Sequence, residues 1–146
     1  MIAYFDASAL VKRHVAERGS RETLEFAARA EVVATSLVTR AEVAAALAKA
    51  VRAKVLDEHE ARDAQRAFVG EWSDIARIPV TDALVSRAET LAWEYGLRGY
   101  DAVQLASAVL FQESLGTPIR LATFDKHLWN AAKSAGFEPW PEKPPQ

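Results

Sequence analysis

The sequence predicts an α/β fold in which a parallel sheet is covered by helices on both faces. Short apolar runs, some rich in β-branched residues, alternate with segments of helical periodicity that are ten or more residues long. All six prolines lie at or beyond Pro79, so we expect helix to dominate the first half of the chain. Because the predicted strands are few and short, all-α packing is the alternative fold.

The first 36 residues are predicted to form two strands with two helices between them. The apolar run Ile2–Phe5 predicts a buried strand. A helical spacing of apolar residues predicts a helix over 7–17, and Ser20 is expected to cap a second helix that ends at about Ala30. The β-branched run 32–36 predicts the second strand.

Residues 39–80 are predicted to add two long helices and a short strand. An apolar residue at every fourth position, from Val43 to Val55, indicates a helix that begins at Thr39. The segment 57–75 has one strongly charged face and predicts another helix. The short strand 78–80 contains Pro79, which is typical of an edge strand or a strand end.

The last part of the chain is predicted to contain three more helices and one more strand. Thr81 or Asp82 would cap a helix that runs to Tyr95 and stops at Gly96. The helix that follows is apolar on all sides, so we expect it to be central. The remaining segments are a helix over 102–114, a strand over 119–123, a helix over 125–136 and an extended tail over 139–146.

Length and composition favour one domain. The chain has 146 residues, half of them hydrophobic, and a chain of this length buries roughly two-thirds of its unfolded surface. The absence of cysteine excludes a disulfide framework, zinc–thiolate sites and thiol nucleophiles. The longest charge-free run, 102–112, is shorter than the ~18 apolar residues of a membrane span. The start of the chain does not resemble a signal peptide, so we expect a cytoplasmic location.

Four carboxylates lie where predicted strands meet the helices that follow them. Asp6 ends the first strand, Glu42 opens the helix after the second, Asp101 opens the apolar helix and Asp125 follows the strand 119–123. In a parallel α/β sheet these junctions share one edge, and ligands bind there. Four acids at that edge would form a negative pocket suited to Mg²⁺ or Mn²⁺, which prefer oxygen ligands.

Each of these acids also has a structural explanation. The spacing of Thr39 and Glu42 fits a capping box, and Asp101 and Asp125 fit helix N-caps that stabilise by about 1 kcal/mol each. Asp6 fits a cap less well, because Ser8 is available to cap the next helix. The coincidence of all four acids at one edge favours a functional site.

Other chemistries lack their motifs. Neither a G-x-G-x-x-G nor a Walker A sequence is present, and the G-x-S-x-G nucleophile motif is also missing. The three histidines, His14, His59 and His127, show no metal-ligand spacing. These observations exclude nucleotide-dependent and serine-hydrolase classes.

Four segments resemble the PIN-domain nucleases, and within that family the VapC-type toxins of type II toxin–antitoxin modules. The segments are 4–12 (YFDASALVK), 39–43 (TRAEV), 97–106 (LRGYDAVQLA) and 122–128 (ATFDKHL). The resemblance implies a PIN-like three-layer α/β/α fold with a short central parallel sheet flanked by helices. It also implies a single nuclease domain over residues 1–140, followed by a Pro-rich tail over 141–146.

The resemblance further implies a site and an activity. It assigns Asp6, Glu42, Asp101 and Asp125 as catalytic residues, the three aspartates among them as metal ligands, and Ser8 and Thr123 as hydroxyls that support the site. The implied activity is Mg²⁺- or Mn²⁺-dependent cleavage of RNA that leaves 5′-phosphate and 3′-hydroxyl ends. The implied partners are RNA, a second copy of the chain in a homodimer, and a VapB-type antitoxin that occludes the site.

Basic residues that flank the acids in sequence are candidates for contacting RNA. The formal net charge is −2, and four of the negative charges belong to the site itself. We expect a positive rim around a metal-filled pocket, which would position phosphates without reading base sequence. The candidate residues are Lys12, Arg13, Arg98 and Lys126.

Two other functions stay open at this point. A metal-dependent phosphohydrolase of Rossmann-like fold would use Asp6 as nucleophile, but the haloacid dehalogenase type needs a second Asp where this chain has Ser8. A catalytically idle binding module would use the acids only as helix caps. The second alternative predicts that Asp101→Asn costs little, because Asn caps nearly as well as Asp.

Overall fold

A computed structural model describes all 146 residues and contains five strands and seven α-helices. The strands are Ile2–Phe5 (β1), Val32–Ser36 (β2), Ala76–Ile78 (β3), Arg120–Ala122 (β4) and Glu138–Trp140 (β5). The α-helices are Ala7–Leu10 (α1), Ser20–Ala28 (α2), Thr39–Arg52 (α3), Glu58–Glu71 (α4), Asp82–Tyr95 (α5), Gly99–Leu115 (α6) and Lys126–Ser134 (α7). Short 3₁₀ turns, Val11–Arg13 and Trp72–Asp74, continue α1 and α4.

All five strands are parallel and lie in the order β3-β2-β1-β4-β5. The chain first adds strands on one side of the central strand β1 and then crosses to the other side. The order therefore reverses between β1 and β4, and the crevice at the carboxyl ends of two such strands is the usual ligand site of an open α/β sheet. The predicted parallel α/β fold is confirmed, and the all-α alternative is wrong.

Side chains of β1 point alternately to two separate cores. Tyr4 belongs to a core formed with α5, α6 and α7, whereas Ala3 and Phe5 belong to a core formed with α1, α2, α3 and α4. These two cores enclose the sheet, which gives the three layers expected from the resemblance. The apolar helix α6 is central, as predicted, and its residues 104–108 are all buried. None of the helices is long and apolar enough to cross a membrane.

Several boundaries differ from the sequence prediction. The helix predicted over 7–17 is helical only to Arg13, and Gly19, with a φ of 89°, precedes α2 in place of a Ser20 cap. Helix α3 ends at Arg52, so Val55 lies beyond it and is 72% exposed. Strand β3 ends before Pro79, and it is an edge strand as predicted.

The expected extended tail is wrong for its first residues. Pro139 and Trp140 belong to β5, which pairs with β4 and forms the second edge of the sheet. Proline is tolerated in an edge strand because the backbone groups on the outer side of such a strand need no partner, so the missing N–H of proline costs no ladder hydrogen bond. Trp140 is buried and stacks on Phe26, with the two ring centroids 4.4 Å apart.

Candidate active site

Asp6 lies directly after β1 and is 5% exposed. Its Oδ1 accepts hydrogen bonds from Ser8 Oγ at 2.7 Å and from the Ala9 backbone N–H at 3.1 Å, and its Oδ2 accepts from Thr123 Oγ1 at 2.7 Å. Asp6 is therefore the N-cap of α1. The expectation that Ser8 takes this role is wrong, because the Ser8 hydroxyl donates back to Asp6.

The Asp6 carboxyl lacks a positively charged partner. The pKa of Asp6 is raised to about 7, mainly by burial and to a smaller extent by the nearby Glu42 carboxylate, although the hydrogen bonds from Ser8, Thr123 and Ala9 lower it. No basic side chain contributes to the shift. A cation close to this carboxyl group would stabilise its ionised form further.

Two hydroxyl groups join the ends of β1 and β4. Ser8 Oγ accepts from the Phe124 N–H at 2.8 Å, and Thr123 Oγ1 accepts from the Asp125 N–H at 3.0 Å. The two hydroxyl oxygens are 3.3 Å apart. Each hydroxyl thus contacts an Asp6 oxygen and also the backbone that leads into α7, so Asp6 and Asp125 are held on the same edge of the sheet.

Glu42 lies in the first turn of α3 and does not cap that helix. The N-cap is Val38, which makes no side-chain cap hydrogen bond, and Glu42 Oε1 instead accepts from Gln104 Nε2 at 2.6 Å. The capping box considered for Thr39 and Glu42 is therefore wrong. Burial raises the pKa of Glu42, the Gln104 hydrogen bond lowers it, and Asp101 raises it further.

Asp101 and Asp125 differ in their structural roles. Asp101 lies three residues after Arg98, the N-cap of α6, so it is not itself a cap. Asp125 is the N-cap of α7, and its Oδ1 accepts from the Leu128 N–H at 2.9 Å. Burial raises the pKa of Asp101, and Asp125 adds to the shift, whereas Arg98 opposes it.

Arg98 contacts both of these acids. Its Nε lies 3.4 Å from Asp101 Oδ2, and its Nη2 lies 3.5 Å from Asp125 Oδ2. The Arg98 side chain is 79% exposed, so these ion pairs contribute little to stability. The guanidinium occupies the side of the site that faces solvent.

The four acids form one electrostatic group. Glu42 raises the pKa of Asp6, Asp101 raises that of Glu42, and Asp125 raises that of Asp101. Carboxylate oxygens grouped in this way suit a hard divalent cation, and no basic side chain pairs with Asp6. No three acidic or histidine side chains lie close enough together here to hold one ion. An ion shared by Asp6, Asp101 and Asp125 therefore requires these side chains to close in and Arg98 to withdraw.

The other candidate cations do not touch the acids. Lys12 Nζ donates to Glu17 Oε1 at 3.0 Å and to the Arg18 carbonyl at 2.7 Å. Arg13 pairs with Glu71 at 3.3 Å and lines a cavity beside the first residues of β2 and β3, at the opposite edge of the sheet. Lys126, the first residue of α7, is exposed and forms no ion pair.

Sequence reasoning missed Gln104 and Tyr4. Both are buried, the Tyr4 hydroxyl donates to Gln104 Oε1, and Gln104 donates to Glu42. The available signal was a glutamine within the most apolar helix of the chain, since buried polar side chains are retained when they have partners.

The family model for the PIN domain matches residues 3–134 of the chain. Two curated relatives are Ribonuclease VapC45 of Mycobacterium tuberculosis strain CDC 1551 / Oshkosh and Ribonuclease VapC49 of strain H37Rv. Each is 36% identical over 136 residues, which cover 92% of this chain and 92% of the relative.

Solved structures give the same fold. A toxin–antitoxin complex from Klebsiella pneumoniae has a TM-score of 0.61 and 26% identity, with 85% of this chain and 87% of that chain covered. PAE2754 from Pyrobaculum aerophilum has a TM-score of 0.64 and 25% identity, with coverages of 95% and 89%. VapC20 of Mycobacterium tuberculosis, a Sarcin-Ricin loop cleaving toxin, has a TM-score of 0.65 at 19% identity, with coverages of 98% and 99%.

Proposed function

The chain belongs to the PIN-domain family, as a relative of the VapC ribonucleases, and from this membership we propose how its carboxylate site works. The protein is a metal-dependent endoribonuclease that acts as the toxin of a toxin–antitoxin pair. The observation that supports this assignment is the electrostatic interaction that links Asp6, Glu42, Asp101 and Asp125 at the edge where the strand order reverses. The metal is Mg²⁺ or Mn²⁺, since both prefer oxygen ligands.

Asp6, Asp101 and Asp125 would hold the metal. Such a cation would supply an activated water molecule and would offset negative charge on the attacked phosphate. Glu42 accepts a proton from the attacking water, and its raised pKa suits a general base. Ser8 and Thr123 keep the Asp6 oxygens in place through their short hydrogen bonds.

Arg98 and Lys126 are the basic residues best placed to meet RNA. Arg98 already contacts two of the acids, and Lys126 directly follows Asp125 without an ion-pair partner. Their charges would contact backbone phosphates and orient the scissile bond without reading base sequence. Lys12 has its charge engaged within the protein, and Arg13 lies at the other edge, so we assign neither to this contact.

A protein antitoxin of the VapB type is the proposed cellular partner, supported by the relatives' names and by the toxin–antitoxin complex of similar fold. We further propose a homodimer that acts in the cytoplasm. The nuclease domain would span residues 1–140, because β5 ends at Trp140 and completes the sheet, and residues 141–146 would form the tail.

The contacts in the site disfavour the two alternatives. Asp6 offers a poor nucleophile for a covalent phosphohydrolase, because both of its oxygens accept hydrogen bonds and it is buried. An idle module in which all four acids cap helices is inconsistent with Glu42 and Asp101, which cap nothing.

Cleavage of total cellular RNA by the purified protein tests the proposal. The reactions contain Mn²⁺ or Mg²⁺, the controls are EDTA and the Asp101→Asn variant, and new 5′ ends are mapped by sequencing. We expect discrete, metal-dependent ends that disappear in the variant. Cleavage that persists in EDTA or in folded Asp101→Asn would show that these acids are not the site.

A further inference from the structure

The side chain of Gln104 connects three elements inside the protein. Its Oε1 accepts a hydrogen bond from the Tyr4 hydroxyl on β1, and its Nε2 donates to Glu42 Oε1 at 2.6 Å and to Thr39 Oγ1 at 2.9 Å, both on α3. Gln104 itself lies on α6 and is 1% exposed. The side-chain amide can make four hydrogen bonds, and three of them are made within the core.

The orientation of this amide is fixed by its partners. The Glu42 carboxylate can only accept, so the amide nitrogen has to face it, and the Tyr4 hydroxyl then donates to the amide oxygen. In a flipped amide, the oxygen would face the carboxylate and both groups would lose a hydrogen bond. By donating to the amide oxygen, the Tyr4 hydroxyl helps to hold the amide in the orientation that serves Glu42.

A chain of hydroxyl groups continues from this amide to the end of β1, directly before Asp6. Thr39 Oγ1 lies 2.7 Å from Thr35 Oγ1, and Thr35 Oγ1 donates to the Phe5 carbonyl at 2.6 Å. The Phe5 carbonyl can only accept, so the Thr35 proton goes to it and the Thr39 proton is directed to Thr35. Each hydroxyl group between Gln104 on α6 and Phe5, the residue before Asp6, thereby has a hydrogen-bond partner.

Glu42 has no other hydrogen-bond donor. Gln104 makes its one hydrogen bond, and no basic side chain pairs with it. A carboxylate that is partly buried and held by a single rigid donor has its position set by that donor. Burial also fixes Gln104, because its amide cannot leave the network without losing several hydrogen bonds at once.

We propose that Gln104, oriented by Tyr4, is a positioning residue that holds the Glu42 carboxylate in place for proton transfer during RNA cleavage. The inference rests on the proposed function, since it assigns a task to Glu42 in that reaction. Neither Gln104 nor Tyr4 touches RNA. Both act through Glu42, so their loss affects turnover and leaves substrate binding intact.

Gln104→Met tests the inference, with Gln112→Met as its matched control. Both replace a glutamine of α6 by a residue of similar size that neither donates nor accepts strongly. The Gln112 amide oxygen only accepts from the Ile119 N–H at 3.0 Å, away from the acids. At saturating RNA and Mn²⁺, and well below the melting temperature, we expect kcat to fall about 10- to 100-fold in Gln104→Met with little change in KM. Gln112→Met should stay within about twofold of the parent.

Testing Gln104→Met in a second variant, Glu42→Asp, distinguishes loss of Glu42 positioning from general destabilisation of the protein. Glu42→Asp keeps the carboxylate but shortens it by one methylene, so that it no longer reaches Gln104. Measured with enzyme in excess over RNA, Gln104→Met should change the rate by less than about twofold in this background, because the contact is already lost. Tyr4→Phe should lower kcat by less than Gln104→Met does, since it frees the amide but keeps its donor.

Two results would overturn the inference. One is a Gln104→Met variant whose kcat matches that of Gln112→Met while Asp101→Asn is inactive, which would leave the proposed nuclease site standing. The other is an equal loss of rate from Gln104→Met in the parent and in the Glu42→Asp background, which would show a structural role only. An active Asp101→Asn variant would instead contradict the proposed function.

Discussion

At the scale of single residues, the acids of the site differ in how their charge is balanced. Asp6 is buried and has three hydrogen-bond donors but no cation, whereas Asp101 and Asp125 share the exposed guanidinium of Arg98. Without metal, the cost of ionising Asp6 falls on the folded state alone, because the unfolded chain exposes this carboxyl to water.

The raised pKa of Asp6 predicts how stability depends on pH in the metal-free protein. Between about pH 4 and pH 7 the folded protein keeps a proton on Asp6 that the unfolded chain has lost. The free energy of unfolding therefore decreases as the pH rises through this window and levels off above it. Urea titrations in EDTA at pH 5 and pH 7.5 measure the decrease.

Asp6→Asn provides the comparison for this pH dependence. The variant has no charge to desolvate at this position, so we expect its stability to depend less steeply on pH than that of the parent, and to exceed the parent's at pH 7.5 in EDTA. Groups that do not interact with Asp6, such as His14, whose pKa is lowered by burial, titrate in both proteins and cancel in the difference. Equal slopes in the two proteins would contradict the raised pKa.

Removal of Arg98 is expected to strengthen metal binding. The guanidinium contacts the two acids that would hold the ion, so it competes for the same oxygens. Because the pair is exposed, we expect Arg98→Ala to bind Mn²⁺ only about two- to fivefold more tightly, as measured by calorimetry. Arg87→Ala is the control, since Arg87 pairs with Glu113 between α5 and α6. Unchanged or weaker binding in Arg98→Ala would show that Arg98 does not compete.

At the scale of elements, two acids at the starts of helices differ in whether they cap the helix. Asp125 caps α7, but Asp101 caps nothing. We therefore expect Asp125→Ala to lose about 0.5–2 kcal/mol of stability, whereas Asp125→Asn stays close to the parent because Asn is a good cap. Neither Asp101→Asn nor Asp101→Ala should lose stability, since each removes a carboxylate that is close to another.

RNA cleavage and denaturant unfolding are both measured for the two Asp125 variants and the two Asp101 variants. We expect all four variants to be inactive although only Asp125→Ala is destabilised. An active Asp125→Asn variant would mean that this acid serves only as a cap.

The sequence predicted most elements because their signals are local. Thr81 and Gly96 delimit α5 as expected, and the apolar composition of α6 indicated its central place. The errors lie where tertiary contacts override local signals. Ser20, chosen as a cap, instead donates to the Val15 carbonyl, and Pro139, which suggested a tail, lies in a strand that pairs with β4.

The four acids of the candidate site and the hydroxyl groups of Ser8 and Thr123 could be named from the sequence, whereas Gln104 and Tyr4 could not. Residues at the ends of predicted parallel strands share one edge, so the positions of the four carboxylates in the sequence sufficed to group them. The role of Gln104 depends on Tyr4, which lies 100 residues away in the sequence. No periodicity or local motif in the sequence indicates a contact between residues so far apart. The contact of Arg98 with Asp125 likewise depends on the tertiary fold.

At the scale of the whole molecule, β5 closes the sheet beside the site. The Thr123 N–H donates to the Trp140 carbonyl at 2.9 Å, and the Trp140 side chain fills the core between Phe26 and Phe124. We expect Trp140→Ala to lower the free energy of unfolding by about 3–5 kcal/mol, measured by guanidinium titration. Trp93→Ala is the control, because Trp93 is 88% exposed and its loss should change stability by less than about 0.5 kcal/mol. A similar, small effect of both substitutions would contradict the packing of β5.

The central place of β1 also sets the order of events while the protein is being made. Strand β1 leaves the ribosome before β4, with which it pairs. Asp6 accepts a hydrogen bond from Thr123, which lies 117 residues later in the sequence. A nascent chain that ends before β4 lacks Thr123 and Asp125, so it has only part of the acid cluster. Pairings of such long range also form slowly, because the intervening chain must first be ordered. Synthesis itself thus delays completion of the acid cluster until β4 and Asp125 have left the ribosome.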